Sequence, residues 1–248
     1  MKKIKYPDYM NSTVSLANSV LKYFGAPVHH ETLALLDRKL AEREYENVVL
    51  LLLDGMGKCI IDGNLEPDCF FASHLAGTYS AVFPPTTVAA TTSICSGLYP
   101  AEHCWLGWDC YYPKIDKTVT VFLNREAGTT KPAADYPVAK TLCPYQSLVE
   151  QIRENGGQAY SLIPFEEPYP GTFEEISDGI ERLTKRPGKK YIYAYWPEPD
   201  GCMHEKGCYS PEAKETLRQL EKQVQQLTEK LSNTLVIVTA DHGHMDSR

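Results

Sequence analysis

The sequence predicts an α/β fold: a mostly parallel central sheet with helices on both faces. Three observations predict it. The run "NVVLLLLDGMG" is apolar without alternation and stops at Asp-Gly, as suits a strand covered on both faces. Strand-like and helix-like segments then alternate along the chain. Finally, three of the strand-like runs end in an acid: Asp54, Asp200 and Asp241.

Taken in order, the first 45 residues read as helices, in "STVSLANSVLKYFG" and "ETLALLDRKLAEREY". Ser12 or Thr13 is placed to cap the first helix, and Gly25 to end it. After the apolar run, "VAATTSICSG" reads as a small-residue helix and "TVTVFLN" as a strand. "YQSLVEQIRENGG" is a helix with a glycine stop, followed by the strand "QAYSLIPF". "TFEEISDGIERLTKR" opens with a Thr172–Glu175 capping box and leads into the strand "KYIYAYWPEPD". The last pair is the long helix "SPEAKETLRQLEKQVQQLTEKLSN" and the strand "TLVIVTADHG". Leu217, Leu220, Val224, Leu227 and Leu231 make one apolar stripe on that helix, as packing on a sheet requires; two heptads are too few for a coiled coil. One α/β domain is expected over residues 1–248, with helices in 1–45 and an irregular stretch over 104–145. In that stretch Trp105, Trp108, Tyr111 and Tyr112 either line a substrate pocket or cover a core edge.

The net charge of −7 argues against binding a nucleic-acid polymer or an anionic membrane, both of which need basic surface. No apolar run approaches the roughly 20 residues that span a bilayer. The basic start "MKKIKYPDYMNSTVSLANSVLKYFG" lacks a continuous apolar segment and a small-residue cleavage site, so it reads as mature protein and the expected location is cytoplasmic. Eight cysteines with no C-x-x-C pair are then expected to be reduced thiols.

Ligands of open parallel sheets bind beyond the carboxyl ends of the strands. There the chain places Asp54, Asp200 with His204 four residues on, and the adjacent Asp241 and His242. Taken singly these motifs are weak, since Asp-Gly after a strand is usually a turn. Together they form a candidate metal cluster, and mixed carboxylate and imidazole donors suit zinc, manganese or iron. A fourth element, "FPPTTVAATTSICSGLYPAEH", sets Thr86 and Thr87 at a helix start. A threonine there caps the helix, or its hydroxyl, beside a metal and the positive helix end, attacks an electrophile.

The order of "LLLLDGMG", "FPPTTVAATTSICSGLYPAEH", "PDGCMHEKG" and "TADHGH" resembles the type I phosphodiesterase/nucleotide pyrophosphatase family of the alkaline phosphatase superfamily. The resemblance implies two divalent metal ions, zinc foremost. Asp54, Thr87, Asp241 and His242 would hold one, and Asp200 and His204 the other. It implies a small anionic, nucleotide-like phosphate-ester substrate and attack by Thr87 to give a phosphothreonine intermediate, with Thr86 the alternative nucleophile. Hydrolysis of phosphomonoesters or phosphonates is a related alternative, and a metal-binding fragment without turnover is another. A sulfatase is disfavoured, because no C-x-P-S-R motif is present.

Two departures stand out. The family usually has an asparagine three residues after the nucleophile to hold phosphoryl oxygens, and here that position is Ala90. Family members also bring a third ligand to the Asp200/His204 metal from a histidine well beyond the Asp-His pair, so the expectation is a chain lacking its C-terminal part. His244 is a candidate substitute, although a solvent-facing role is expected for it, and His103 is expected to be structural.

Overall fold

The computed structural model describes residues 6–246, so the expectations for 1–5 and for 247–248 fall outside the described residues. Seven strands are described: β1 (Asn47–Leu53), β2 (Asp109–Tyr112), β3 (Lys117–Thr120), β4 (Arg125–Glu126), β5 (Gln158–Leu162), β6 (Lys190–Trp196) and β7 (Thr234–Thr239). The expected domain divides into two compact units, Met1–Ala34 with Tyr79–Gln151, and Leu35–Thr78 with Ile152–Arg248.

The second unit holds a four-stranded parallel sheet in the order β5-β6-β1-β7. β1 is buried along its whole length, so both of its faces are covered, as its unalternating apolar run requires. Val49, Leu51 and Leu53 of β1 and Ile192 and Ala194 of β6 share a core with Ile176, Ile180 and Leu183 from the helix Phe173–Thr184 and with the stripe of the helix Pro211–Lys230. Leu217, Leu220, Val224 and Leu227 of that stripe are buried and Leu231 packs against the same cluster, which is the core role expected of them. Helix starts follow their sequence signals. The Thr172 hydroxyl accepts from Glu175 N–H at 3.1 Å, while Glu175 Oε2 accepts from Thr172 N–H at 3.2 Å. Ser210 caps the long helix with Pro211 in its first turn.

The first unit pairs the helix Thr13–Tyr23, entered from Ser12, with the helix Thr87–Ser96. Asn18 Nδ2 donates to the carbonyl of Gly97 at 2.8 Å, which ties the end of one helix to the side of the other. Gly97 sits at φ +76°, the left-handed cap geometry that glycine adopts without strain. The expected helix over "ETLALLDRKLAEREY" is shorter, Ala34–Ala41.

The region 104–145 departs from the strand–helix alternation. "TVTVFLN" supplies β3 of a small antiparallel sheet, β2-β3-β4, and turns back at residues 121–124 rather than joining the parallel sheet. Its aromatics divide between the two readings. Trp105 and Tyr112 are buried with Val88, Val119 and Val138, whereas Trp108 and Tyr111 are about half exposed.

Candidate metal centre

Register decides what the second unit can do at the carboxyl edge of its sheet. Leu53 pairs with Trp196, and Leu52 with Thr239. The three strands therefore end almost level, and the residues that follow them, Asp54, Asp200 and Asp241 with His242, arrive at one place. Backbone hydrogen bonds fix the arrangement: Asp54 N–H donates to Trp196 O at 3.0 Å, and Asp200 N–H to Asp54 O at 3.2 Å.

Close packing demands two glycines here. Gly55 has φ +67°, and a Cβ on it would stand 2.7 Å from Asp200 Oδ1. A Cβ on Gly57 would stand 2.6 Å from the Cα of Gly243. The "DGMG" of the sequence is thus more than a turn, because its glycines let the loop after β1 lie against the loop after β7 and against Asp200.

Asp54 and Asp241 are buried, 3% and 1% exposed. Asp241 Oδ1 accepts from Gly55 N–H at 3.2 Å and from His242 N–H at 2.9 Å. His242 Nε2 lies 3.4 Å from Asp54 Oδ1 and 3.5 Å from Asp241 Oδ2. The other oxygen of Asp54, Oδ2, accepts from the Tyr195 hydroxyl at 2.5 Å. Burial, and then the neighbouring Asp241 charge, push the Asp54 carboxyl up to about 9. The Tyr195 hydroxyl is pushed well above its ordinary value by burial and by Asp54, so it stays a donor.

Asp200 joins this group to a second one. His204 follows Asp200 by one helical turn, with Nε2 3.3 Å from Asp200 Oδ2. His244 comes from the loop after β7, with Nδ1 3.0 Å from Asp200 Oδ1. The expectation of a solvent-facing His244 is corrected: its side chain is 17% exposed and its ring centroid is 4.6 Å from that of His204.

Buried carboxylates that repel one another, with imidazoles aimed at them, call for a cation between them. The donors meet that need in two sets, Asp54/Asp200/His242 and Asp200/His204/His244, in each of which the ligand atoms lie within 4.8 Å of one another. Metal–ligand bonds near 2 Å place donors around one ion within about 4 Å of each other, so small side-chain movements suffice in both. The residues fit two divalent ions. The structure brings Asp54, Asp200, His204, Asp241 and His242 together.

Tyr195 was missed from the sequence. Its only signal there is a hydroxyl-bearing residue next to the end of an otherwise buried strand.

Thr87 belongs to the first unit. It opens the helix Thr87–Ser96 and is half-buried, and Thr86 is the N-cap residue without a capping bond from its side chain. Ala90 is fully buried in a cluster with Val14 and Val82, so the place of the family asparagine faces an apolar contact. His103 is 1% exposed, with Nε2 3.0 Å from Ser93 Oγ and Nδ1 accepting from Trp105 N–H at 3.1 Å. Burial lowers its imidazole to about 4. It is a neutral core histidine that ties the helix Thr87–Ser96 to the segment after Pro100, which is the structural role expected of it.

Among solved structures the chain is similar to murine ectonucleotide pyrophosphatase/phosphodiesterase 5, at 19% identity and a TM-score of 0.58 over 79% of this chain. It is equally similar to an inactive threonine-to-alanine variant of that protein in complex with AMP. The chain covers 57% and 56% of those two chains, little more than half their length. At that identity the likeness establishes a shared fold. No curated protein sequence gave a significant match. The profile of the type I phosphodiesterase / nucleotide pyrophosphatase family matches residues 48–248, which include every acid and imidazole of the metal centre. The chain belongs to the type I phosphodiesterase / nucleotide pyrophosphatase family.

Proposed function

We propose that this chain forms the metal-binding and nucleophile-bearing part of a hydrolase that cleaves phosphodiester or pyrophosphate bonds in a small nucleotide-like substrate. The observation that carries this reading is the pair of ligand sets sharing Asp200 at the level ends of three parallel strands. Family membership supports the reaction class, and the AMP held by a solved relative supports the nucleotide-like substrate.

When bound, two zinc ions would neutralise phosphoryl oxygens and make hydroxide available near neutral pH. Asp54, Asp241 and His242 would hold one ion together with Thr87, and His204 the other, with Asp200 placed between the two ligand sets to serve both. Thr87 attacks phosphorus in line with the leaving alkoxide or phosphate, giving a phosphothreonine ester, and water then cleaves that ester to regenerate the hydroxyl. The inactivity of the threonine-to-alanine relative supports a threonine in this role. Ala90 offers no side-chain donor for the oxygens. First-turn N–H groups of a helix bind phosphate, and the helix Thr87–Ser96 begins at the nucleophile.

The test is hydrolysis of chromogenic nucleotide phosphodiesters and pyrophosphates by zinc-loaded protein, set beside phosphomonoesters and phosphonates. Faster diester cleavage that a chelator abolishes and zinc restores is expected. Exclusive monoester cleavage would move the assignment to another reaction of the superfamily, and no turnover on any of these would leave a metal-binding fragment.

A further inference from the structure

We propose that Cys104 and Cys143 are a redox pair that closes to a disulfide by exchange with a low-molecular-weight disulfide of the glutathione class. Both residues lie in the first unit, so the inference is independent of the metal centre.

Packing carries it. The two neighbours of Cys104, His103 and Trp105, both pack against Tyr145, two residues past Cys143, with ring centroids 6.4 Å and 5.2 Å away. The Trp105 indole N–H also donates to the Cys143 carbonyl at 2.9 Å. The segments 103–105 and 143–145 therefore run side by side, and between these contacts the Cys104 and Cys143 thiols share a hydrogen bond. The described cysteines are all free thiols, with Cys104 exposed and Cys143 partly covered. Cys104 also holds a left-handed φ of +61°, a helix-end conformation that glycine adopts without strain. Keeping a cysteine there points to its sulfur.

A second observation points the same way. Tyr112 is 5% exposed and its hydroxyl has no partner. The ionisable groups that bear on that hydroxyl are the thiols of Cys110, Cys143 and Cys104. A buried hydroxyl without a partner is costly, and a thiolate among these sulfurs supplies the acceptor it lacks. Among the described residues the three sulfurs are not gathered tightly enough to surround one metal ion, which leaves chemistry between pairs. Cys110 donates to Gly107 O at 3.5 Å within its own turn, so Cys143 is the partner for Cys104.

The exchange balances in two steps. The exposed Cys104 thiolate attacks one sulfur of the small disulfide, forms a mixed disulfide and releases one thiolate. Cys143, as thiolate, then attacks the Cys104 sulfur, closes the Cys104–Cys143 bond and releases the second thiolate. The protein loses two protons and two electrons, and the small disulfide is reduced to two thiols. Burial, and then Cys104, push the Cys143 thiol above its ordinary value. It is therefore a poor leaving group, so external thiols that attack Cys104 reopen the bond slowly. The bond fastens the stretch 104–143 at both ends, next to the helix Thr87–Ser96: His103 meets Ser93, and Trp105 packs with Val88.

The experiment treats the reduced full chain with glutathione disulfide at graded ratios to glutathione, followed by intact mass and peptide mapping. A Cys104–Cys143 link is expected, with loss of the mass of two hydrogens, while exposed Cys59 carries only mixed disulfide. Cys143→Ser should stop at the mixed disulfide on Cys104, and Cys104→Ser should leave Cys143 reduced. Tyr112→Phe should slow ring closure several-fold and leave formation of the mixed disulfide unchanged. The linked protein should melt several degrees above the reduced one, a gap that both serine variants abolish. A link between other cysteines would overturn the proposal, as would Cys104 and Cys143 still reduced at ratios that fully modify Cys59. Mapping of the unsubstituted protein decides this even if a variant fails to fold.

Discussion

His244 Nδ1 and Asp200 Oδ1 stand 3.0 Å apart, although 44 residues of chain separate them. The loop after β7 thus reaches back over the helix that begins the second ligand set. Asp200 becomes the shared acid of the centre, with the Asp54 and His242 donors on one side and two imidazoles on the other.

The Tyr195 hydroxyl, bonded to Asp54 Oδ2, leaves Oδ1 turned toward His242. Outer partners of this kind orient a ligand and typically contribute 10- to 100-fold in metal affinity. Tyr195→Phe keeps the ring in the core and removes only that bond. Zinc affinity at the His242 site should fall by about that factor while the metal-free protein melts within a few degrees of the original. Competition with a chelator measures it, and an unchanged affinity would make the tyrosine a packing residue alone.

Gly55→Ala attacks the same centre through the backbone. The left-handed φ of +67° costs a side-chain-bearing residue about 1–2 kcal/mol, and the new methyl meets Asp200 Oδ1 at 2.7 Å. Lower stability in denaturant and weaker binding at both metal sites are expected together, since both ligand sets use Asp200. Loss of stability with intact metal affinity would show that Asp200 yields freely.

His103 gives stability a pH dependence. Its imidazole titrates at about 4 in the folded chain against an ordinary 6.5. The folded value is the lower one, so this stabilisation is complete above about pH 6.5 and is lost as the pH falls toward 4. The ceiling is about 3 kcal/mol at 1.36 kcal/mol per unit. Urea midpoints measured from pH 7 to 4 should decline, and His103→Gln should flatten the part of the slope that histidine supplies. An equal slope in that variant would place the acid sensitivity elsewhere.

The parallel sheet was legible because β1, β6 and β7 carry unbroken apolar runs, and their terminal acids told where the centre lies. β3 was harder. "TVTVFLN" has the composition of any strand, and its antiparallel partners are set by the turns around it, which periodicity does not report. The cluster Asp54, Asp200, His204, Asp241 and His242 could be read from type and order, since each follows a strand or lies one turn into a helix. His244 and Tyr195 could not. Whether His244 faces water or Asp200 depends on how Gly57 and Gly243 let two loops approach, and the Tyr195 bond depends on which face of β6 meets Asp54. Both are properties of packing between segments far apart in sequence.

Hydrolysis through Thr87 at a two-metal centre, as proposed, passes through a covalent ester on the protein. The most direct measurement is acid quenching of zinc-loaded protein during turnover of a p-nitrophenyl nucleotide diester, followed by peptide mass mapping. A nucleotidyl phosphate ester on Thr87 is expected, absent from metal-stripped protein and from Thr87→Ala, whose turnover should fall by more than about a thousandfold. Turnover that continues in Thr87→Ala, or an adduct carried by Thr86 instead, would contradict it.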